Sequence, residues 1–420
     1  MRVVIVGAGI GGANLALCLH AAGITDVTVL EAVSEIRPLG VGINILPHAV
    51  RELTELGLGA ELAATGVATA DLTYVNRRGQ TIWTEPRGVA AGYNYPQYSI
   101  HRGRLQMLLL DAVRERLGDT SVRTGCRVIS SHTTDDGALI TYQSSGEVVT
   151  ERADVVIAAD GIKSAIRAQW FPDEGPPVWN GQILWRAVSR TAPFLSGRSM
   201  FMAGDREIKF VAYPIEEVAP DGTQLINWIA EKDLTNADGA DSDWNKSVDR
   251  SVFAPAFADW RYDWLDIPAL IDAADEVYEY PMVDRPPLDS WVRGRVALLG
   301  DAAHPTYPIG SNGSSQAIID GRVLAYALAT QSIDEALAFY EGERLPKTKE
   351  LQRVNRAMGP ERVMQLARER APEGFDDIDQ VIPRSELEEI ASNYKRVAGF
   401  EPSILNSQPS WSVQLGDGQN

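Results

Sequence analysis

Four apolar residues in a row, Val3 to Val6 in RVVIV, open the chain, and so unbroken a run predicts a strand buried on both faces. Residues 10–22 follow with helical composition and DVTVLE (26–31) predicts a second strand, so the opening reads as a βαβ unit of a parallel sheet. From His101 to Leu117 the apolar positions Leu105, Leu108, Leu109, Ala112, Val113 and Leu117 keep the spacing of one helical face. Three β-runs come next, through VRTGCRVISSHTT, ALITYQ and VVT, and ADVVIAAD (153–160) predicts another buried strand. After about Pro172 the texture changes. Period-2 alternation in REIKFVAYPI (206–215) and TQLINWIAE (223–231) predicts an antiparallel sheet, which the alternating stretch DLTYVNRRGQTIWTE within 71–100 is expected to join. RVALLG (295–300) returns to the buried-strand pattern, helical spacing dominates from 315 to about 370, and the last twenty residues, polar and aperiodic, are expected to fray.

Composition narrows the partners. A net charge of −18 over 420 residues argues against nucleic acid and anionic membrane surfaces, both of which recruit excess Lys and Arg. Two distant cysteines, Cys18 and Cys126, make no disulfide framework and favour a cytoplasmic location. No apolar stretch reaches the roughly 18 residues of a membrane helix. The apolar N-terminus is broken by glycine too early for a signal peptide. The five histidines show no metal-ligand spacing, so no metal is expected.

VVIVGAGIGG contains G-x-G-x-x-G as Gly7, Gly9 and Gly12, with Gly11 beside them. The pattern alone is weak, but here it follows a strand, opens a helix and precedes Glu31 at the end of the next strand. Gly7 permits the tight turn, Gly9 lets the backbone approach a pyrophosphate and Gly12 allows close helix–strand packing. The helix N-terminus offers free N–H groups to phosphate. Glu31 can accept hydrogen bonds from an adenosine ribose, which suits NAD or FAD better than NADP.

Two further motifs decide between them. DVVIAADGIKSAIR carries Asp160 and Gly161, with Ser164 and Arg167 behind; GDAAHPTYPIG carries Gly300, Asp301, His304, Pro308 and Gly310. With the glycine loop and HRGRLQMLL, which offers Arg102 early in a helix, these segments resemble the single-component FAD-dependent aromatic monooxygenases of the para-hydroxybenzoate hydroxylase type. GVGINILPHAV, YPQYSIHRG and PIGSNGSSQAI are similar to the phenazine-hydroxylating branch, which has GSNG where many relatives have a GQG-like loop, and His48 where Asn is frequent.

The resemblance implies an α/β fold: a Rossmann-like FAD-binding domain, built of a parallel sheet with a β-hairpin layer, beside an antiparallel-sheet substrate domain and C-terminal helices. The expected layout is a FAD-binding domain in three parts (1–70, 101–175 and 286–345), a substrate-sheet insertion (71–100), a substrate domain (176–285), and C-terminal helices with a tail (346–420). It implies bound FAD, NADH or NADPH as transient co-substrate, and hydroxylation of a planar aromatic or N-heteroaromatic, phenazine-like substrate by O2 through a flavin 4a-hydroperoxide, in a monomer or homodimer. Arg102 is expected on the pyrophosphate, Asp301 on the ribityl hydroxyls, Asp160 and Gly161 on the cofactor side, and Gly42 and Ile43 near the flavin ring. Pro308, Gly310, Ser311, Asn312 and Gly313 would surround the flavin, with free N–H groups facing the anionic edge that reduction creates.

Trp185, Phe210, Tyr213 and Trp228 are the aromatic pocket candidates, although Phe210 and Tyr213 fall on opposite faces of an ideal strand. Arg186, Arg206 and Lys209 are the cations available for a substrate carboxylate, and His48 is the histidine to consider near the chemistry. A flavin-dependent halogenase and a non-oxygenating flavin oxidoreductase are the alternatives. WRYDWLDIP (260–268) imitates the halogenase W-x-W-x-I-P pattern, but with the wrong spacing.

Overall fold

The computed structural model describes residues 1–234 and 246–413. The predicted βαβ opening forms: strand Val3–Val6 lies between Val27–Leu30 and Val155–Ala158, parallel to both. Val296–Leu298 and Val122–Arg123 extend the parallel sheet, and Val292–Arg293 closes one edge antiparallel. Every residue of the three central strands is buried, as strands covered on both faces must be. Helices Ile10–Ala21, Arg102–Leu117 and Gly313–Thr330 pack together on it, and a three-stranded antiparallel layer, Cys126–Thr134, Gly137–Ser144 and Glu147–Ala153, lies alongside. This is the Rossmann-like unit with its hairpin layer.

The second unit is an eight-stranded sheet in the order 246–247, 278–284, 178–191, 224–233, 208–214, 199–204, 71–75, 81–86. It departs from a purely antiparallel sheet at one seam, where Asp71–Val75 runs parallel to Ser199–Gly204. The rest of the insertion behaves differently: Tyr98–His101 pairs with Gly42–Ile45 and Val67–Ala68 in a small sheet of its own.

The two faces of the large sheet have separate fates. One buries Trp185, Phe201, Phe210 and Trp228 beneath Phe253, Phe257 and Trp260. The other carries Leu72, Tyr74, Met200, Met202, Val211 and Tyr213, and packs against Tyr307, Ile309 and the C-terminal helices. WRYDWLDIP belongs to the first face: Trp260 meets Phe257 edge-on at 5.0 Å and Trp264 meets Phe201 at 5.1 Å. Its tryptophans are sheet packing, which accounts for the imitation of a halogenase motif.

The chain's end is more ordered than its polarity suggests. Helix Arg384–Val397 follows the helices Ile333–Arg356 and Arg362–Arg370, Leu405 is buried, and Trp411 packs on Tyr326 and Phe339. The expectation of fraying fails there because Leu405 and Trp411 find apolar partners no local pattern could announce; its remainder, 414–420, lies outside the described residues.

One buried cation joins the pieces. Arg167, 1% exposed, donates from Nη1 to the carbonyls of Ala302 and Ala303 at 3.0 and 2.9 Å, from Nη2 to Pro286 at 3.1 Å, and from Nε to Glu174 at 2.9 Å. Arg167→Met should lower stability by about 3–5 kcal/mol, because it orphans two buried carbonyls and strips the part-buried Glu174 of one of its two cations, Arg285 remaining at 2.8 Å. Urea unfolding followed by tryptophan fluorescence checks this; a loss below about 1 kcal/mol would contradict it.

Candidate functional site

The glycine loop has the geometry its sequence requires. Gly7 has φ +97°, and a Cβ there would lie 2.6 Å from the Ala159 carbonyl. A Cβ on Gly12 would lie 2.0 Å from the Gly7 carbonyl, so only glycine lets helix Ile10–Ala21 sit this close to its strand. A Cβ on Gly11 would press on Leu299 at 3.0 Å, whereas Gly9, at the helix N-cap, faces nothing within 4 Å. Glu31 accepts from the backbone N–H groups of Ala8 at 2.9 Å and Val33 at 3.0 Å. Gln106 donates to the Ala8 carbonyl at 2.9 Å, so helix Arg102–Leu117 also braces the loop.

The other motifs converge on the same edge of the parallel sheet. Asp160 follows strand Val155–Ala158; its Oδ2 caps helix Ala165–Trp170 through the Ala165 N–H at 2.9 Å, while its buried Oδ1 has no partner. Gly161, at φ +77°, faces open space. Asp301 follows strand Val296–Leu298, and the residue as a whole is exposed. Desolvation of its carboxylate by the surrounding protein raises its pKa, against the lowering influence of His304 and Arg102. Arg102 is thus within electrostatic reach of Asp301, and its side chain runs beside Gly40.

Behind this loop lies a fully buried charge cluster. Asp320 accepts from the Gly300 N–H at 3.1 Å and Arg344 Nε at 2.7 Å, and meets His304 Nε2 at 2.6 Å. Burial alone would raise the pKa of Asp320, but His304 and Arg344 outweigh it and hold it at about 2.

The 308–313 turn is shaped by its neighbours. Pro308 is exposed. Gly310 has φ +67° and no room for a Cβ, which would lie 2.0 Å from the Tyr394 hydroxyl; Ser311 is also left-handed, at φ +53°. Gly313 opens helix Gly313–Thr330 with nothing within 4 Å of its Cβ position. Asn312 differs from its neighbours: its side chain is buried beneath the turn, Oδ1 accepting from Gln316 Nε2 at 3.3 Å. His48 belongs to this layer as well. It is 3% exposed, stacks on Phe400 at 5.2 Å, and burial followed by the charges of Arg344 and Arg51 pushes its pKa down to about 3. It is therefore a neutral packing residue at physiological pH.

Gly42 ties the two units together. Its N–H donates to Asn227 Oδ1 at 2.7 Å, and its carbonyl accepts from Tyr213 at 2.8 Å and Arg186 Nη2 at 2.9 Å. A Cβ on Gly42 would lie 2.7 Å from Asn227. Gly42 is fixed by the large sheet, and neighbouring Ile43 is half-buried.

Of the four aromatic pocket candidates, only Tyr213 lies on the face toward the 308–313 turn. Trp185, Phe210 and Trp228 are corrected to the core of the opposite face. Lys209 is bound to Glu231 at 2.8 Å and to Glu361, and Arg206 lies on the exposed surface. The cleft between sheet and turn is narrow, with about 20 Å³ of free volume, and is lined by Leu46, Leu72, Met200, Met202 and Gly310 together with polar groups. Its wall includes Tyr74, Arg87, Tyr394 and Lys395, none of which local sequence reasoning singled out. The alternation in 71–86 marked the strands but not which face would meet the turn, and Tyr394 and Lys395 arrive from a distant helix.

The family described as FAD binding domain matches residues 1–176 and 266–354. A phenazine 1,6-dicarboxylic acid hydroxylase of Lysobacter antibioticus is 48% identical over 365 residues, covering 84% of this chain and 89% of its own. A 6-hydroxynicotinate 3-monooxygenase of Pseudomonas fluorescens is 30% identical, over 84% and 90% of the two chains. Among solved structures, HpxO of Klebsiella pneumoniae with FAD and uric acid superposes with TM-score 0.74 at 24% identity, covering 97% of each chain. A salicylate hydroxylase substrate complex gives 0.73 at 21% identity, over 97% of this chain and 98% of the other. These two likenesses speak for the fold.

The Asp320 cluster generates a prediction. A carboxylate whose folded pKa lies below its unfolded value of about 3.9 stabilises fully above that value and loses the contribution as pH falls. Wild-type protein should therefore lose on the order of 2 kcal/mol through this group between about pH 4 and pH 2. Asp320→Asn should be less stable at neutral pH, with the gap to wild type closing over that window. Urea unfolding at a series of pH values reads the gap, and a pH-independent gap would count against the assignment.

Proposed function

The chain belongs to the FAD-binding-domain family and is an FAD-dependent aromatic monooxygenase, and from that premise we propose that it hydroxylates a planar N-heteroaromatic acid of the phenazine carboxylate type. The observation that carries the substrate reading is the 48% identity, spread over 84% of the chain, to a hydroxylase of a phenazine dicarboxylic acid.

The residues present fit FAD. Gly9 and Gly313 leave two backbone approaches clear at the N-termini of two helices, and Asp160 keeps an unpartnered buried oxygen. In this reading the Gly7–Gly12 turn and the first helix receive the pyrophosphate with Arg102, since free N–H groups and the positive helix end favour an anion there. Glu31 already accepts two backbone N–H groups. A carboxylate has about four lone-pair sites, so capacity remains for a ribose hydroxyl. Asp301 takes the ribityl hydroxyls. The Gly313 end of the turn supplies backbone N–H donors where negative charge develops, the Ser311 N–H being taken by the Pro308 carbonyl at 3.2 Å, and Pro308 forms a stiff wall beside them.

FAD, when bound, accepts a hydride from NADH or NADPH and delivers one oxygen atom of O2 to the aromatic ring. The protein's share is to hold the ring against the 308–313 turn and to exclude water. Leu46, Leu72, Met200 and Met202 supply apolar walls for a flat ring, and Tyr394 fixes the turn by filling the space over Gly310. Tyr213 and Arg186 act one step back, holding Gly42 in place. A cytoplasmic location agrees with two buried free cysteines and the need for a nicotinamide reductant. The reading keeps a monomer or homodimer.

Purified protein should be yellow, and phenazine-1-carboxylate should accelerate NAD(P)H oxidation and give a product one oxygen heavier by mass spectrometry. Oxidation without oxygen incorporation, or chlorination in chloride, would overturn the reading. Asp301→Ala should weaken FAD retention by about tenfold or more, the scale of a lost hydrogen bond to a charged group. Equilibrium dialysis measures it, and unchanged affinity would remove Asp301 from the cofactor site.

A further inference from the structure

The cleft has an unbalanced polar end. Arg87 Nη2 donates to Glu85 Oε1 at 2.6 Å, and Lys395 Nζ donates to Glu85 Oε2 at 2.8 Å. One carboxylate, only 3% exposed, thus serves two cations. Both remain inside the protein, with side chains 12% and 19% exposed. The trio carries a net charge of +1. Beside it, the Arg87 Nε–H and the Tyr74 hydroxyl are buried without a hydrogen-bond partner. Tyr74 itself is 1% exposed. Unsatisfied buried donors are rare in folded proteins, because each forfeits its hydration. Two of them, adjacent, cationic in sum and lining one cleft, call for an acceptor that arrives with a ligand.

We propose that Tyr74 and Arg87 form the seat for the substrate's carboxylate, with Glu85 and Lys395 holding Arg87 in position. The assignment rests on the reading of the cleft as the aromatic-acid site. The Tyr74 hydroxyl and the Arg87 Nε–H donate to the carboxylate oxygens, and the apolar walls take the ring.

Other charges agree with this orientation. Glu231 and Glu361 share Lys209, which leaves one negative charge on that trio, and Glu361 lies within electrostatic reach of Tyr74. A carboxylate therefore settles toward Arg87 and Lys395 and away from Glu361. Arg186, the rival cation on the same face of the sheet, also has a buried, unpartnered Nε–H, but it does not line the cleft and its Nη2 donates to the Gly42 carbonyl. Burial raises the pKa of Tyr74 far enough to keep its phenol protonated, so it is a donor at every physiological pH.

The test compares an acid with its neutral analogue. Binding of phenazine-1-carboxylate and phenazine-1-carboxamide to the FAD-loaded enzyme is measured by fluorescence quenching, with turnover measured separately. Wild type should prefer the acid. Tyr74→Phe and Arg87→Gln should each weaken the acid by about tenfold or more while leaving the amide nearly unchanged, in line with loss of a charge-assisted hydrogen bond. Tyr74→Phe changes no shape, and flavin retention reports that each variant is folded. Equal weakening of both ligands, no weakening, or a wild type that binds the amide as well as the acid would overturn the proposal. Wild type that binds the acid with the predicted preference but hydroxylates nothing would sink the functional reading and leave the seat standing. Normal hydroxylation with no loss in either variant would do the reverse.

Discussion

The buried guanidinium of Arg167 is the point on which the cofactor side of the molecule depends. It stands at the end of one motif and holds the backbone of another, through the carbonyls of Ala302 and Ala303. A third segment is drawn in through Pro286 and Glu174. Burying a charge is costly unless every donor finds an acceptor, so this arginine fixes the distance between strand ends that are far apart in sequence. Asp301 is then placed by the same constraint that places Asp160. The Asp320 cluster repeats the device from behind, holding the Gly300 N–H with a carboxylate whose charge is secured by Arg344.

Close approach is the second theme. Gly12 against Gly7, Gly42 against Asn227, and Gly310 against Tyr394 all bring backbone to distances no side chain would tolerate. The three contacts join helix to strand, one sheet to the other, and the 308–313 turn to the C-terminal helix. Gly9 and Gly313 are glycines for another reason: they leave space instead of filling it. The motif G-x-G-x-x-G thus mixes two physical demands that a sequence pattern writes with one letter.

The parallel sheet was legible because strands buried on both faces must be continuously apolar, as RVVIV and DVVIA are. The glycine loop was legible because its context of strand, helix and acidic residue is local. The substrate side was harder to read. Period-2 alternation identifies a half-buried strand but is silent on which half meets the neighbouring unit, so Trp185, Phe210 and Trp228 were attractive and belong to the far face. Parity did separate Phe210 from Tyr213, and the structure keeps them on opposite faces. Arg167 carried no local sign of its long-range role. Asn312 and His48 sit in motifs, yet their side chains serve packing beneath the turn, which only tertiary contacts reveal.

The cleft's walls come from two stretches far apart in the chain. Tyr74, Glu85 and Arg87 belong to the inserted hairpin and its exit, whereas Tyr394 and Lys395 come from helix Arg384–Val397, and Lys395 is bonded to Glu85 across the boundary. Those two stretches are therefore coupled by a buried ion pair. A chimaera that exchanges the hairpin between relatives while keeping the native C-terminal helix would mismatch a buried ion pair.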